Sequence, residues 1–220
     1  MLYLEMNLMA AVCRPVLLLA VPSFQLLWAQ PPNWRCPVDC HPDSIRLTAI
    51  GAFGLWRKAR PGIPAHLHAG VDIVRPSKNY DDEPIYPVSR GRVVGLRDDG
   101  PYAQIIIEHG TEPGDTLWSV YEHIAGIACR LGDSASPSRP IARFMNRREL
   151  NRYGWQFDHL HLEIMKARPR AEAPPGRRFR LLTYGLTCYS REELESRYID
   201  PLEFIKTHYS KAPSLLHEDQ

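Results

Sequence analysis

With 220 residues, 44% of them apolar and 24% charged, the chain can bury a core in one or at most two ordinary domains. Its 27 Lys and Arg against 25 Asp and Glu leave a net charge of +2, too little for bulk-charge binding to nucleic acid or an anionic membrane, and its aliphatic content excludes a disordered chain. The 20 prolines against 14 glycines indicate short elements and many loops rather than a helical bundle, and no window holds the ~18 uninterrupted apolar residues of a membrane-spanning helix.

In chain order, residues 1–29 read as a secretory signal peptide. An apolar stretch from position 15 to 28 follows Arg14 and ends at Ala29, a small residue just before a polar, proline-rich segment. Its removal would discard Cys13 and leave Cys36, Cys40, Cys129 and Cys188, an even number that suits an oxidising compartment. The expected disulfide pairs are Cys36 with Cys40, which a short loop through Pro37 can close, and Cys129 with Cys188. A four-thiolate zinc site is disfavoured, because the last two cysteines form no C-x-x-C knuckle. Residues 30–50 read as a Pro-rich lead-in and residues 208–220 as a C-terminal tail.

Between these ends, β-type runs fall at 46–50, 70–74, 84–88, 91–96, 103–109, 117–123 and 159–165. Each is rich in Val, Ile, Tyr or Leu, and Gly, Asp, Pro or Ser separates them. That spacing predicts an antiparallel sheet protein. Helical signals are few: a basic stretch at 143–153, and Ser190 with Glu193, which open like a capping box before a helical turn. Residues 167–180 read as an exposed Pro/Arg loop whose charge is a solvated face.

The chemistry concentrates in three places. Asp158-His159-Leu160-His161-Leu162-Glu163-Ile164 alternates with period two, so His159, His161 and Glu163 share one strand face while Leu160, Leu162 and Ile164 enter a core on the other. His68-Ala69-Gly70-Val71-Asp72 sets a histidine and an aspartate four apart around a glycine that lets backbones approach closely. Zinc accepts imidazole nitrogen and carboxylate oxygen, and a catalytic site uses three protein ligands while leaving a fourth position for water. His68, Asp72 and one histidine of the distant pair would supply that set, with His66 competing for the role of His68. In Tyr121-Glu122-His123 the histidine closes a β-type run and should emerge at a strand end, whereas His109 reads as structural.

The order H-x-x-x-D, then Y-x-H, then H-x-H followed by Leu162-Glu163-Ile164 resembles the lysostaphin-type, LytM-like zinc endopeptidases that cut the peptide bridges of bacterial peptidoglycan. The resemblance runs over roughly residues 51–205 and takes in Phe53-Gly54, the strand pair at 84–88 and 91–93, and Ile199-Asp200-Pro201-Leu202. It implies a mainly β, antiparallel LytM-like domain of the duplicated hybrid motif type over 51–207, with few short helices, a groove over one sheet and an insertion at about 168–197. It implies zinc ligation by His68, Asp72 and His161. His159 and His123 would stand beside the metal without binding it, His159 as the expected general base and His123 as the expected transition-state donor, with the sequence leaving the reverse assignment open. Tyr121 either positions substrate or packs.

Read this way, the protein is an exported, periplasmic or secreted zinc metalloendopeptidase whose partners are peptidoglycan stem or cross-link peptides, with no nucleic acid and no membrane span after signal removal. The alternative is a non-catalytic cell-wall-binding module that regulates another wall hydrolase; retention of all five side chains argues against it. The chain departs from the family pattern before H-x-H, where it has Gly154-Trp155-Gln156-Phe157-Asp158, and in a longer connection at 77–83. The segment 168–197 also carries Cys188, and a bond to Cys129 would staple it near the loop after His123.

Overall fold

The two-residue alternation of the sequence becomes a sheet covered on both faces. The computed structural model describes residues 34–61, 63–111, 115–172, 180–181 and 188–209, so the expected signal peptide lies outside the described residues, as do residues 210–220 of the expected tail. The strands are β1 (Trp56–Arg57), β2 (His66–Leu67), β3 (Val71–Val74), β4 (Pro84–Ile85), β5 (Gly91–Arg97), β6 (Gln104–Gly110), β7 (Thr116–Glu122), β8 (Ile124–Ala125), β9 (Ser134–Ala135), β10 (Ala142–Phe144), β11 (His159–Met165), β12 (Ala171–Glu172), β13 (Arg180–Leu181) and β14 (Tyr198–Ile199). Three α-helices accompany them among the described residues, α1 (Arg147–Tyr153), α2 (Arg191–Arg197) and α3 (Pro201–His208), along with three single 3-10 turns. The largest sheet runs β14-β11-β7-β6-β5-β9, with β3 also paired to β11, and its strand pairs are antiparallel. A mainly β, antiparallel fold is therefore what the chain adopts.

Strand β6 shows why the sheet is buried on both sides. Ile105 and Ile107 point to one face and Ile106 to the other, and none of the three is exposed. Each such side chain contributes roughly 1.5–3 kcal/mol relative to leaving it in water. The first face packs Leu160, Leu162, Tyr121, Phe144 and Ile205. The second packs Val120, Met165 and Trp118 under Leu67, Ala69, Leu194 and Tyr198. Trp34 from the lead-in joins the first face, 5.3 Å from the His109 ring and edge-on to Phe204 at 4.7 Å. Residues 34–38 thus pack on the side of β11 opposite His159 and His161.

Several expected elements change at their ends. The run 46–50 makes only an isolated bridge, Leu47 to Ile73, because a turn from Thr48 to Gly51 closes beside Asp72. The run 84–88 shortens to β4, since Pro87 has no N–H to extend a ladder. The stretch 143–153 divides: Ala142–Phe144 is a strand, and the helix starts at Arg147, where Asn146 and Glu149 form a reciprocal capping box. Part of the expected loop at 167–180 is the hairpin formed by β12 and β13. Helix α3, read only as a motif at 199–202, is capped by Asp200 and begins with Pro201.

The described cysteines are thiols. Cys36 and Cys40 are close enough to perturb each other's thiol, but neither expected pair, Cys36–Cys40 or Cys129–Cys188, is formed. Cys188 is buried in the apolar layer on the face that carries Ile106, whereas Cys129 packs against the layer on the opposite face. The sheet stands between them.

Candidate metal centre

The H-x-x-x-D and H-x-H segments meet by register. Strands β3 and β11 pair so that Asp72 lies opposite His161, and on the other edge of β11 His161 lies opposite Glu122, which in turn lies opposite Gln104. One row across four strands thus places Asp72, His161, Glu122 and Gln104 on the same face. Gly70 permits the approach: a Cβ there would sit 2.3 Å from the Leu162 carbonyl oxygen and 2.9 Å from His161 Cε1. His68 reaches the same point from the end of β2, held by backbone bonds to residues 54 and 55. Arg75, following β3, donates to Asp158 Oδ1 at 3.0 and 2.7 Å and ties down the start of β11.

His68, Asp72 and His161 converge through three atoms. His68 Nε2 is 3.0 Å from His161 Nδ1 and 3.2 Å from Asp72 Oδ1, and His161 Nδ1 is 2.9 Å from Asp72 Oδ1. Zinc–ligand bonds of about 2.0–2.1 Å in a tetrahedron separate the ligand atoms by about 3.3 Å, close to this spacing. The outer atoms are all engaged. His68 Nδ1–H donates to the Ala52 carbonyl at 3.1 Å, and His161 Nε2–H donates to Glu163 at 3.1 Å. Asp72 Oδ2 accepts from Arg57 at 2.5 Å. Each ring therefore directs a lone pair inward, toward the other ring and a carboxylate oxygen. Only a cation, a proton or a metal ion, relieves that arrangement, and the donor set fits zinc.

The titration behaviour agrees. Burial opposes charge on His161, but its hydrogen bonds to Asp72 and Glu163 outweigh burial and raise its pKa to about 10. Burial also opposes ionisation of Asp72, and hydrogen bonds from His161 and His68 hold it well below the usual carboxylate range. Burial lowers His68 and His159 and pushes Glu122 up to about 7.

His123 and His159 stand beside the cluster. Their rings are 4.8 Å apart, His123 is 6.2 Å from the His161 ring, and His159 Nε2 is 3.6 Å from Asp72 Oδ1. His123 has a positive φ of 64°, which turns the chain out of β7 and swings the ring over the cluster. Its Nδ1–H donates to the Pro101 carbonyl at 2.6 Å, and Phe157 and Tyr102 flank it. Burial, together with the neighbouring His159, lowers its pKa to about 3. A cleft of about 200 Å³ opens here, lined by the three clustered residues and His123.

No family model and no curated protein matches the sequence. Solved structures do. A zinc-containing peptidase from Vibrio cholerae matches 61% of this chain and 36% of its own, at 24% identity and a TM-score of 0.42. Lysostaphin matches 78% and 55%, at 20% identity and a TM-score of 0.45. A chain of the SpoIIQ–SpoIIIAH pore-forming complex matches 61% and 84%, at 19% identity and a TM-score of 0.43. The chain thus spans about a third of the length of the Vibrio cholerae peptidase it matches.

The structure brings together all five residues expected at the site. It places two others elsewhere: Tyr121 is fully buried, with its hydroxyl on the Val88 N–H at 2.7 Å, and it packs. His109 is also buried, hydrogen-bonded to Arg90 O and Ser119 Oγ. His66 lines the cleft but bonds to the Pro64 carbonyl and stays outside the cluster. Sequence reading missed Arg57, Glu122 and the partner role of Glu163. Glu163 was visible in the alternation with His161. Arg57 carried no local signal, since only the β1–β2 hairpin sets it against Asp72.

Proposed function

We propose that His68 through Nε2, Asp72 through Oδ1 and His161 through Nδ1 hold a zinc ion, and that the protein is an exported, periplasmic or secreted metalloendopeptidase acting on peptidoglycan stem or cross-link peptides. The observation that carries this reading is the inward convergence of three donor atoms whose outer partners are all protein groups. When bound, zinc supplies a Lewis acid that polarises a peptide carbonyl and makes water acidic enough to lose a proton near neutral pH. The side chains do the rest. Because Pro101 takes the Nδ1–H of His123, the neutral ring offers its Nε2 lone pair to the cleft. His123 is thus a proton acceptor first and a donor only afterwards, which suits taking the proton of water and passing it to the leaving amine. His159 is then the better candidate to donate to the developing oxyanion, the reverse of the sequence expectation. Export rests on residues 1–29, and an oxidising compartment would favour closure of the adjacent Cys36 and Cys40.

Metal analysis with turnover tests the reading. The purified protein should carry about one zinc per chain and release new peptide termini, seen by mass, from purified wall fragments. His161→Ala should lose both properties. His123→Ala should keep the zinc and slow turnover by roughly 10²- to 10⁴-fold. A zinc-free native protein, or full hydrolysis by His161→Ala, overturns the assignment. Binding to wall fragments with no cleavage by the zinc-loaded chain would identify the wall-binding module instead.

A further inference from the structure

Two arginines share the cleft with the three clustered residues; Arg57 holds Asp72, and neither takes part in the proton transfers proposed above. Arg57 and Arg60 lie on the hairpin that runs from β1 to β2, whose backbone register continues to a bridge between Arg60 and Ile63. Arg57 is fixed in place: one terminal nitrogen donates to Asp72 Oδ2 at 2.5 Å and to the Ile50 carbonyl at 2.9 Å. Its Nε–H is buried and has no hydrogen-bond partner among the described residues. Arg60 is exposed, and among the described residues its guanidinium meets no carboxylate. The carboxylates that line the cleft, Asp72 and Glu122, are already engaged, Asp72 by Arg57 and two histidines and Glu122 by Gln104 at 2.9 Å. A cation held by the cluster would add to the positive side. Arg57 is thus neutralised by Asp72 but keeps a second terminal nitrogen with no hydrogen-bond partner among the described residues, while Arg60 brings positive charge to the wall with no acid among them to take it up.

We propose that Arg57 and Arg60 form a carboxylate-binding subsite beside the cluster, so that the peptides accepted here carry a carboxylate near the bond to be cut. The assignment of that carboxylate to a substrate rests on the hydrolase reading above. A guanidinium matches a carboxylate in geometry as well as charge, because its planar N–H groups can bond both oxygens at once. Arg57, held rigidly, would position the group, and Arg60, free at the rim, would close on it. The carboxylate could be the C-terminus of a peptide or an acidic side chain, and the two sources are separable.

The test compares three tetrapeptides by calorimetric titration of the zinc-loaded full chain and by cleavage: tetra-alanine with a free C-terminus, its amide, and an amidated analogue containing one glutamate. At least one acidic form should bind about tenfold tighter than the neutral amide, the weight of one charge-assisted contact, and the gap should narrow with salt. Preference for the free C-terminus identifies a terminal carboxylate, and preference for the glutamate peptide a side-chain one; either supports the subsite. Arg60→Gln, which leaves the Arg57–Asp72 contact in place, should shrink the acid-to-amide affinity ratio toward one. Equal affinity of all three peptides for the wild-type chain, no binding by any, or an unchanged ratio in Arg60→Gln, overturns the subsite. Arg60-dependent binding of an acidic peptide without cleavage would retain the subsite and remove the hydrolase reading. Cleavage with no acid preference would do the opposite.

Discussion

A histidine becomes a metal ligand through its second nitrogen. His161 donates Nε2–H to Glu163, and that bond leaves the Nδ1 lone pair aimed at His68 and Asp72. The same carboxylates that orient the ring also draw a proton onto it, so a metal ion entering the cluster must displace that proton. Glu163→Gln should weaken zinc binding by about 10- to 100-fold, the usual effect of losing such an outer partner. Competition with a chelator of known affinity would measure it, and unchanged affinity would mean that Glu163 does not set the tautomer. His123 shows the same logic under strain. A non-glycine residue at positive φ costs of order 1–3 kcal/mol, and here that cost places an imidazole over the cleft with its tautomer fixed by Pro101.

At the level of elements, the site is a product of one strand pairing. Two segments 89 residues apart deliver Asp72 and His161 to each other because β3 and β11 pair in a register that puts them opposite. Gly70 guards that register, since any side chain there collides with backbone of β11 rather than with a flexible group. Gly70→Ala should therefore destabilise the fold by about 1–3 kcal/mol, the range for overpacking, and should also loosen zinc binding by moving Asp72 away from His161. Urea denaturation with a zinc titration would show both effects. Loss of stability with full metal affinity would mean that β3 can shift without carrying Asp72 with it. The far end of the same strand is secured differently, by Arg75 bonded to Asp158 across the pair.

For the molecule as a whole, the two covered faces divide the labour. One is continuous core, and it contains the fully buried His109, whose pKa burial lowers to about 4. A neutral buried histidine disfavours the proton that the unfolded chain takes up near pH 6.5. Stability from this residue is therefore intact above about pH 6.5 and is lost as the pH falls toward 4, by about 3 kcal/mol in total. Denaturation midpoints of wild type and His109→Gln, compared between pH 7 and pH 4.5, should show a shallower slope in the variant, and equal slopes would refute the assignment. The other face carries an apolar layer at one end and the candidate metal centre at the other, so the site sits on a rigid sheet with its rim open.

Much of this was legible along the chain, for a physical reason. A period of two sets which face of a strand each side chain takes, so the separation of His159, His161 and Glu163 from Leu160, Leu162 and Ile164 follows from sequence alone, as does the need for glycine at position 70 between closely packed backbones. Helix α3 was partly readable from Asp200 and Pro201, whereas the start of α1 depended on a capping box that a run of basic residues concealed. Contacts set by register were not readable: that Asp72 faces His161, that Arg57 grips the Asp72 carboxylate, and that Cys129 and Cys188 are held apart by the sheet. Local chemistry selects the residues that can bind a cation, but long-range pairing decides which atoms meet, because residues distant in sequence become neighbours only when the strands between them have taken their places.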